Sequence, residues 1–140
     1  MSEENVERLR AFCEAWATFD RDKWETGSEM DLSLLDPDVV FEDRVLPDHG
    51  GETFHGHEGV IRAAVTWGQA YEHLSIELEQ IVGSGDRLVS IHRMRGTGRR
   101  SGIDQVDNYA YLWVFQNGRV IRFVSFRDPA EALVAAGLSE

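Results

Sequence analysis

Asp107-Asn-Tyr-Ala-Tyr-Leu-Trp-Val-Phe115 and Val120-Ile-Arg-Phe-Val-Ser-Phe-Arg127, joined through Gln116-Asn117-Gly118, decide how this chain folds. Both runs are rich in aromatic and β-branched side chains, which suit a pleated, half-buried surface, and the segment between them is a hairpin signal. The turn sets which side chains share a face. A two-residue Asn-Gly turn places Trp113 opposite Arg122, whereas a three-residue loop with Gly118 left-handed places Phe115 opposite Arg119. The second register is the one expected, with Trp113 facing Ile121, Tyr111 facing Phe123, Tyr109 facing Ser125 and Asp107 facing Arg127. It gathers the large rings on one face and gives Asp107 an opposite charge across the strand. That face is apolar at the turn end and polar at the other, as a pocket wall is. The other face carries Ala110, Leu112, Val114, Val124 and Phe126. It is too apolar for water and predicts a homodimer formed through the sheet.

A chain of 140 residues is expected to form a single domain over 1–140. With 14 Lys and Arg against 25 Asp and Glu, the formal charge is −11. That balance argues against nucleic acid and anionic membranes as partners, because both need basic side chains opposite their phosphates. No apolar run is long enough to span a bilayer, and Met-Ser-Glu-Glu-Asn lacks the character of a secretion signal. The lone Cys13 suits a reducing cytoplasm and reads as a small buried hydrophobe.

Upstream, Val6, Leu9, Phe12, Cys13, Trp16, Ala17 and Phe19 recur at helical spacing from about Glu3 to Phe19. A second helix is expected from Asp20-Arg-Asp-Lys-Trp24 towards Leu34-Leu35, stopped by Asp36-Pro37. Val39 to Asp43 reads as a strand, Arg44 to Thr53 as a loop, and Glu58 to Tyr71 as a helix. His73 to Val82 alternates as a strand with one wet face, and Arg87 to Thr97 is the next strand. Asp128, Pro129 and Gly137 bracket a short closing helix as cap, first residue and stop. Helices early and consecutive strands late indicate an α+β protein, its antiparallel sheet curling around the helices.

Several of these stretches carry a resemblance. Asp36-Pro-Asp-Val-Val-Phe-Glu-Asp43, Phe54-His-Gly-His-Glu-Gly-Val60, Gly85-Asp-Arg-Leu-Val89, Phe115-Gln-Asn-Gly-Arg-Val-Ile121 and Asp128-Pro-Ala-Glu-Ala-Leu133 occur in an order and spacing that cover nearly the whole chain. Together they resemble a SnoaL-like domain of the nuclear transport factor two-like superfamily. The resemblance implies a cone-shaped curved sheet wrapped around the N-terminal helices, with an interior pocket and commonly a dimer. Its relatives include ketosteroid isomerases, polyketide cyclases, epoxide hydrolases and noncatalytic binding modules, so one function does not follow. In the ketosteroid isomerase pattern a carboxylate ending the first strand is the general base, and Asp43 matches that place. Tyr111 falls where an oxyanion donor lies on the next-to-last strand. The second donor, a tyrosine of the first helix, would fall near Cys13 or Glu14 and is absent. The epoxide hydrolase pattern is matched by Arg93, while Arg95 and Ser125 stand where it needs aspartates.

The residues themselves define three groups. Asp43 at a strand end facing an apolar cavity would make a general base, because burial disfavours its charged form. Arg93, Asp107 and Arg127 are expected in a row across three strands, able to bind a carboxylate or enolate oxygen, or to hold one another. Tyr109, Tyr111, Trp113, Phe123 and Ser125 would line the pocket. His49, His55 and His57 with Asp48, Glu52 and Glu58 lack a metal-binding spacing, and no nucleotide fingerprint or nucleophile elbow is present, so neither metal nor cofactor is expected. The ligand expected is a small, largely apolar carbonyl or polyketide-like molecule.

Overall fold

A computed structural model describes residues 2–17, 31–45 and 52–138. The first helix, α1 (Ser2–Ala17), buries Asn5, Leu9 and Cys13 at four-residue spacing, with Val6, Phe12 and Trp16 beside them. The expected second helix falls on residues 18–30, outside the described ones. Its expected end does not hold: residues 31–34 are non-helical and Leu35 opens β1 (Leu35–Asp43). Pro37 cannot donate to a ladder, and it sits where the pairing of β1 is irregular, between Leu35 and Val40.

The expected loop over Arg44–Thr53 ends early, because β2 (Glu52–His55) pairs antiparallel with β1. Helix α2 (Gly56–Ala70) follows and buries Gly59, Val60, Ala63, Ala64, Trp67 and Gly68. Its small residues allow close approach. A Cβ on Gly59 would stand 3.2 Å from the Cβ of Phe54. Strands β3 (Tyr71–Ser84), β4 (Arg87–Gly98), β5 (Asp104–Gln116) and β6 (Arg119–Phe126) then form a meander, and the six strands lie in the order β2-β1-β6-β5-β4-β3. The sheet is mixed rather than purely antiparallel, since β1 runs parallel to β6. Register shifts in β3, one beside the left-handed His73 (φ 54°), bend the sheet around α1 and α2.

Two expected registers are corrected. Asn117 and Gly118 have φ of 54° and 79°, which makes a two-residue turn with Gln116 opposite Arg119. The shift after Phe115 then leaves Ile121 outside the pairing, so Trp113 faces Phe123 and Tyr111 faces Ser125. That is two residues from the expected pairing, so the faces survive, but Asp107 and Arg127 are not cross-strand partners. Between β4 and β5 the error is one residue. Arg93 pairs with Asn108 and Met94 with Asp107, which sends Arg93 to the convex side and turns His92, opposite Tyr109, inward. No row of Arg93, Asp107 and Arg127 forms.

Helix α3 (Pro129–Ala136) has the expected ends: Asp128 accepts from the Ala130 N–H at 2.9 Å, and Gly137 is left-handed with φ 76°. Ala132 and Ala136 pack on Val89, Ala110, Leu112, Val124 and Phe126. The apolar convex face expected at a subunit interface is thus covered in large part by α3 of the same chain. Because that capping bond fixes the start of α3, Asp128→Ala should lower stability by about 1 kcal/mol. A urea titration should show an earlier midpoint at unchanged slope, and an unmoved midpoint would deny the cap its role.

Candidate functional site

Asp43 ends β1 with its side chain on the concave side and none of its surface exposed. Among the described residues three donors meet its carboxylate: the Val45 N–H at 3.0 Å and the Ser125 hydroxyl at 3.0 Å on Oδ1, and the Trp67 indole N–H at 3.1 Å on Oδ2. Ser125 Oγ in turn accepts from the Arg44 N–H at 2.9 Å. One buried carboxylate therefore joins β1, β6 and α2, with the donors a charged oxygen needs in a dry site.

Above it the rings form two stacks. Tyr71, Trp67, Tyr109 and His92 follow one another at centroid distances of 5.7, 6.0 and 5.8 Å. Phe41, Phe123 and Trp113 make the second, at 4.3 and 4.7 Å. Tyr111 stands between them, edge-on to Tyr109 and to His92 at 5.4 Å each. Burial and then the nearby Asp43 charge push its phenol above the usual tyrosine range, so it is a proton-bearing donor at neutral pH. Tyr109 is 1% exposed, and its hydroxyl has no hydrogen-bond partner of good geometry among the described residues, although it lies near enough to Tyr111 for each to influence the other's ionisation.

Two small adjoining cavities, of about 40 and 30 Å³, share Trp16, Ile76, Tyr111 and Phe123 as walls. Phe12, Cys13, His92 and Trp113 close the first, and Trp67, Phe41 and α2 the second. Beyond the Trp67–Tyr109 partition lies a polar cleft of about 290 Å³, walled by Tyr71, Met94, Gln105, Asp107, Tyr109 and Arg127. Asp107 and Arg127 do meet there, though not as a pair: Asp107 accepts from Gln105 Nε2 at 2.9 Å, and Arg127 donates to the Val45 carbonyl at 2.7 Å. Tyr71, beside them, is raised by burial and Asp107 and lowered by Arg127. Of the residues singled out in the sequence, Asp43, Tyr109, Tyr111, Trp113, Phe123 and Ser125 come together. Asp107 and Arg127 lie one partition away, and Arg93 is on the other face. His57 bonds the Leu35 carbonyl at 2.9 Å; His49 and Asp48 lie outside the described residues, among which no group of three metal-binding side chains occurs.

Trp67, Ser90 and His92 were not singled out. The alternation Leu88, Ser90, His92, Met94 along β4 was the available signal, a serine and a histidine on an otherwise apolar face. Ser90 Oγ accepts from Trp113 Nε1 at 2.7 Å and lies 2.7 Å from His92 Nε2. Cys13 adjoins Ser90, and burial pushes its thiol up to about 12, so it is inert as a nucleophile.

This cone of helices and curved sheet, with a carboxylate at the end of β1 beneath a ring-lined interior, belongs to a recognisable class. A SnoaL-like domain profile matches residues 9–123, and the chain belongs to that family. Among solved structures it is similar to an NTF2-like protein of unknown function from Burkholderia pseudomallei K96243, at 26% identity and TM-score 0.71, over 97% of this chain and 98% of that one. It is also similar to TerC co-crystallised with polyporic acid, at 21% identity, TM-score 0.69, and 97% and 99% coverage. A third is a protein with a ketosteroid isomerase-like fold from Catenulispora acidiphila DSM 44928, in complex with trimethylamine, at 14% identity, TM-score 0.66, and 94% and 92% coverage. No curated protein matches the chain. Among the described residues no helix is long and apolar enough to cross a membrane.

The buried histidine makes stability depend on pH. Burial lowers the His92 pKa from 6.5 to about 4, so the unfolded chain binds the extra proton first. The neutral ring's contribution is complete above the unfolded value and is lost as pH falls through the folded one. Between pH 6.5 and 4 its share of the slope reaches about 1.4 kcal/mol per pH unit. Urea midpoints measured at pH 7 and pH 5 should converge in His92→Phe relative to wild type; equal slopes would mean that His92 is not buried in its neutral form.

Proposed function

We propose that this chain is a small-molecule pocket protein of the isomerase or cyclase type, in which Asp43 removes a proton next to a carbonyl and Tyr111 hydrogen-bonds the oxygen. The observation that carries this reading is the full burial of Asp43 within the electrostatic reach of Tyr111, a phenol that lines both interior cavities. Structures similar to this one include one co-crystallised with polyporic acid and one in complex with trimethylamine, which supports a small-molecule ligand here. The Trp67 indole covers Oδ2, so a substrate reaches the base only when that bond is given up. A hydrogen bond to a charged group is worth about 1.5–3 kcal/mol. A positioned base is worth about 10²–10⁴-fold in rate, or about 3–5 kcal/mol. The gain exceeds the cost.

A second reading rests on that same bond and on the small size of the cavities: the domain binds its ligand without reacting, and Asp43 only holds α2 to β1 and β6. Deuterium exchange at the α-carbon of small cyclic ketones in D₂O, followed by proton NMR, separates the two. The proton-transfer reading expects exchange that falls about 10²–10⁴-fold in Asp43→Asn and about 10²–10³-fold in Tyr111→Phe. Ketones that bind without exchanging above the buffer rate leave the binding module standing alone. Asp43→Asn turns an amide N–H₂ towards one of three donors, so it should also cost about 1–3 kcal/mol of stability, read by urea titration.

The same proposal includes a homodimer through the convex surface that α3 leaves open, where Val106 is 58% exposed. Sedimentation at micromolar concentration showing only monomer would remove it.

A further inference from the structure

The inner face of the sheet continues past the two small cavities. Asp107 alternates with Tyr109 and Tyr111 along β5, Met94 lies opposite Asp107, and Arg127 follows Ser125 by two residues. With Tyr71 they wall the cleft of about 290 Å³, which lies near the lower end of the sizes that small-molecule sites take. Its floor is apolar, because Trp67, Met94 and Tyr109 are buried, and its rim is polar. Asp107 and Arg127 are the only charged side chains among its described walls, and they do not pair with one another. Each is held by a neutral neighbour instead: Gln105 Nε2 donates to Asp107 Oδ2 at 2.9 Å, and Arg127 Nη2 donates to the Val45 carbonyl at 2.7 Å. Among the described residues those bonds leave Asp107 Oδ1 and most of the guanidinium donors open. Both charges face one space: burial raises the Tyr71 pKa first, Asp107 raises it further, and Arg127 lowers it.

Two opposite charges held apart across one cleft set the chemistry of what fits between them. A ligand with a single charge is attracted at one wall and opposed at the other, whereas a zwitterion is attracted at both. The guanidinium fork suits a carboxylate, and the Asp107 carboxylate suits an ammonium. Trp67 stacks on Tyr71 at 5.7 Å and on Tyr109 at 6.0 Å, which gives a run of rings against which an aromatic body can lie. We propose that this cleft is a ligand site of its own, and that it takes an α-amino acid with an aromatic side chain, its carboxylate at Arg127 and its ammonium at Asp107. The site lies outside the Trp67–Tyr109 partition and uses neither Asp43 nor Tyr111, so it stands apart from the proton-transfer reading.

L-Phenylalanine, 3-phenylpropionate (which lacks the ammonium) and phenethylamine (which lacks the carboxylate) test it by ¹H–¹⁵N NMR titration of the full chain. Wild type should bind phenylalanine about fivefold more tightly than either analogue, the upper worth of one exposed ion pair. Arg127→Gln should abolish the preference over phenethylamine and keep the preference over phenylpropionate, and Asp107→Asn should do the reverse. Both preferences should shrink as salt is raised, since the pairs are open to water. Equal affinity for the three compounds in wild type, or the targeted preference unchanged in either variant, would overturn the proposal. Should a variant not fold, the wild-type shifts decide: the amides of Tyr71, Gln105 and Asn108 must move with phenylalanine, and a response at Ser90 and Trp113 alone sinks the site. Absence of any shift with phenylalanine sinks it too, and leaves the Asp43 reading untouched.

Discussion

The carboxylate of Asp43 is the constraint on which the interior depends. A fully buried charge is tolerated only when its lone pairs are met, and here the donors come from elements far apart in sequence: the chain after β1, Trp67 of α2 and Ser125 of β6. The parallel pairing of β1 with β6 brings Asp43 level with Ser125, and the small residues of α2 let Trp67 reach down. Once the indole is held by Oδ2, its ring face is fixed, and Tyr109 and His92 stack in sequence behind it. An apolar residue in place of Asp43 would leave an indole N–H and a hydroxyl unmet in a dry site, at about 1–3 kcal/mol each.

Most of the fold was legible in the sequence, because its signals are local. Asp128, Pro129 and Gly137 mark the ends of α3 through backbone chemistry that needs no tertiary partner. The inner and outer faces of β5 were legible from alternation alone, and Asp43 from its place at a strand end. Register was not, because pairing is decided by the turn and by bulges. The Asn-Gly turn with the shift near Ile121 displaced β6 by two residues, and the faces were unchanged. The β4–β5 hairpin differed by only one, and every side chain of β4 changed sides. That one residue replaces an expected charged row by a neutral His92 facing Tyr109. Trp67 as a partner of Asp43, 24 residues away, had no local signal at all.

The family membership constrains shape more than chemistry, since such folds carry many functions on the same frame. What distinguishes this chain is how its polarity is distributed. The expected arginine row would have made an anion site in the interior. Instead Arg127 is held at the cleft by the Val45 carbonyl, Arg93 faces outward, and the polar groups lining the interior cavities are the indoles of Trp16, Trp67 and Trp113, the Tyr111 phenol, the Cys13 thiol and the His92 imidazole. None of these interior groups offers a positive charge to an anion.

The cavity volumes also say which wall yields. Two lobes of about 40 and 30 Å³ hold only a few heavy atoms between them. A ring-sized ligand must therefore push something aside. The sheet walls on β1, β4, β5 and β6 are tied into ladders on both sides, and moving Trp67 breaks a bond to a buried carboxylate. Helix α1 buries Leu9 and Cys13, and its polar ties among the described residues include a part-buried bond from Asn5 to the Gly85 carbonyl at 3.1 Å and an exposed one from Arg8 to the Gly118 carbonyl at 3.3 Å. Such bonds exchange for water at about 1 kcal/mol each, while burying about 150 Å² of ligand ring returns about 4 kcal/mol. If the proposed ligand enters on the α1 side, it meets His92 and Tyr111 before Trp67. On the proposed function, proton transfer further requires the Trp67 indole to release Asp43 Oδ2.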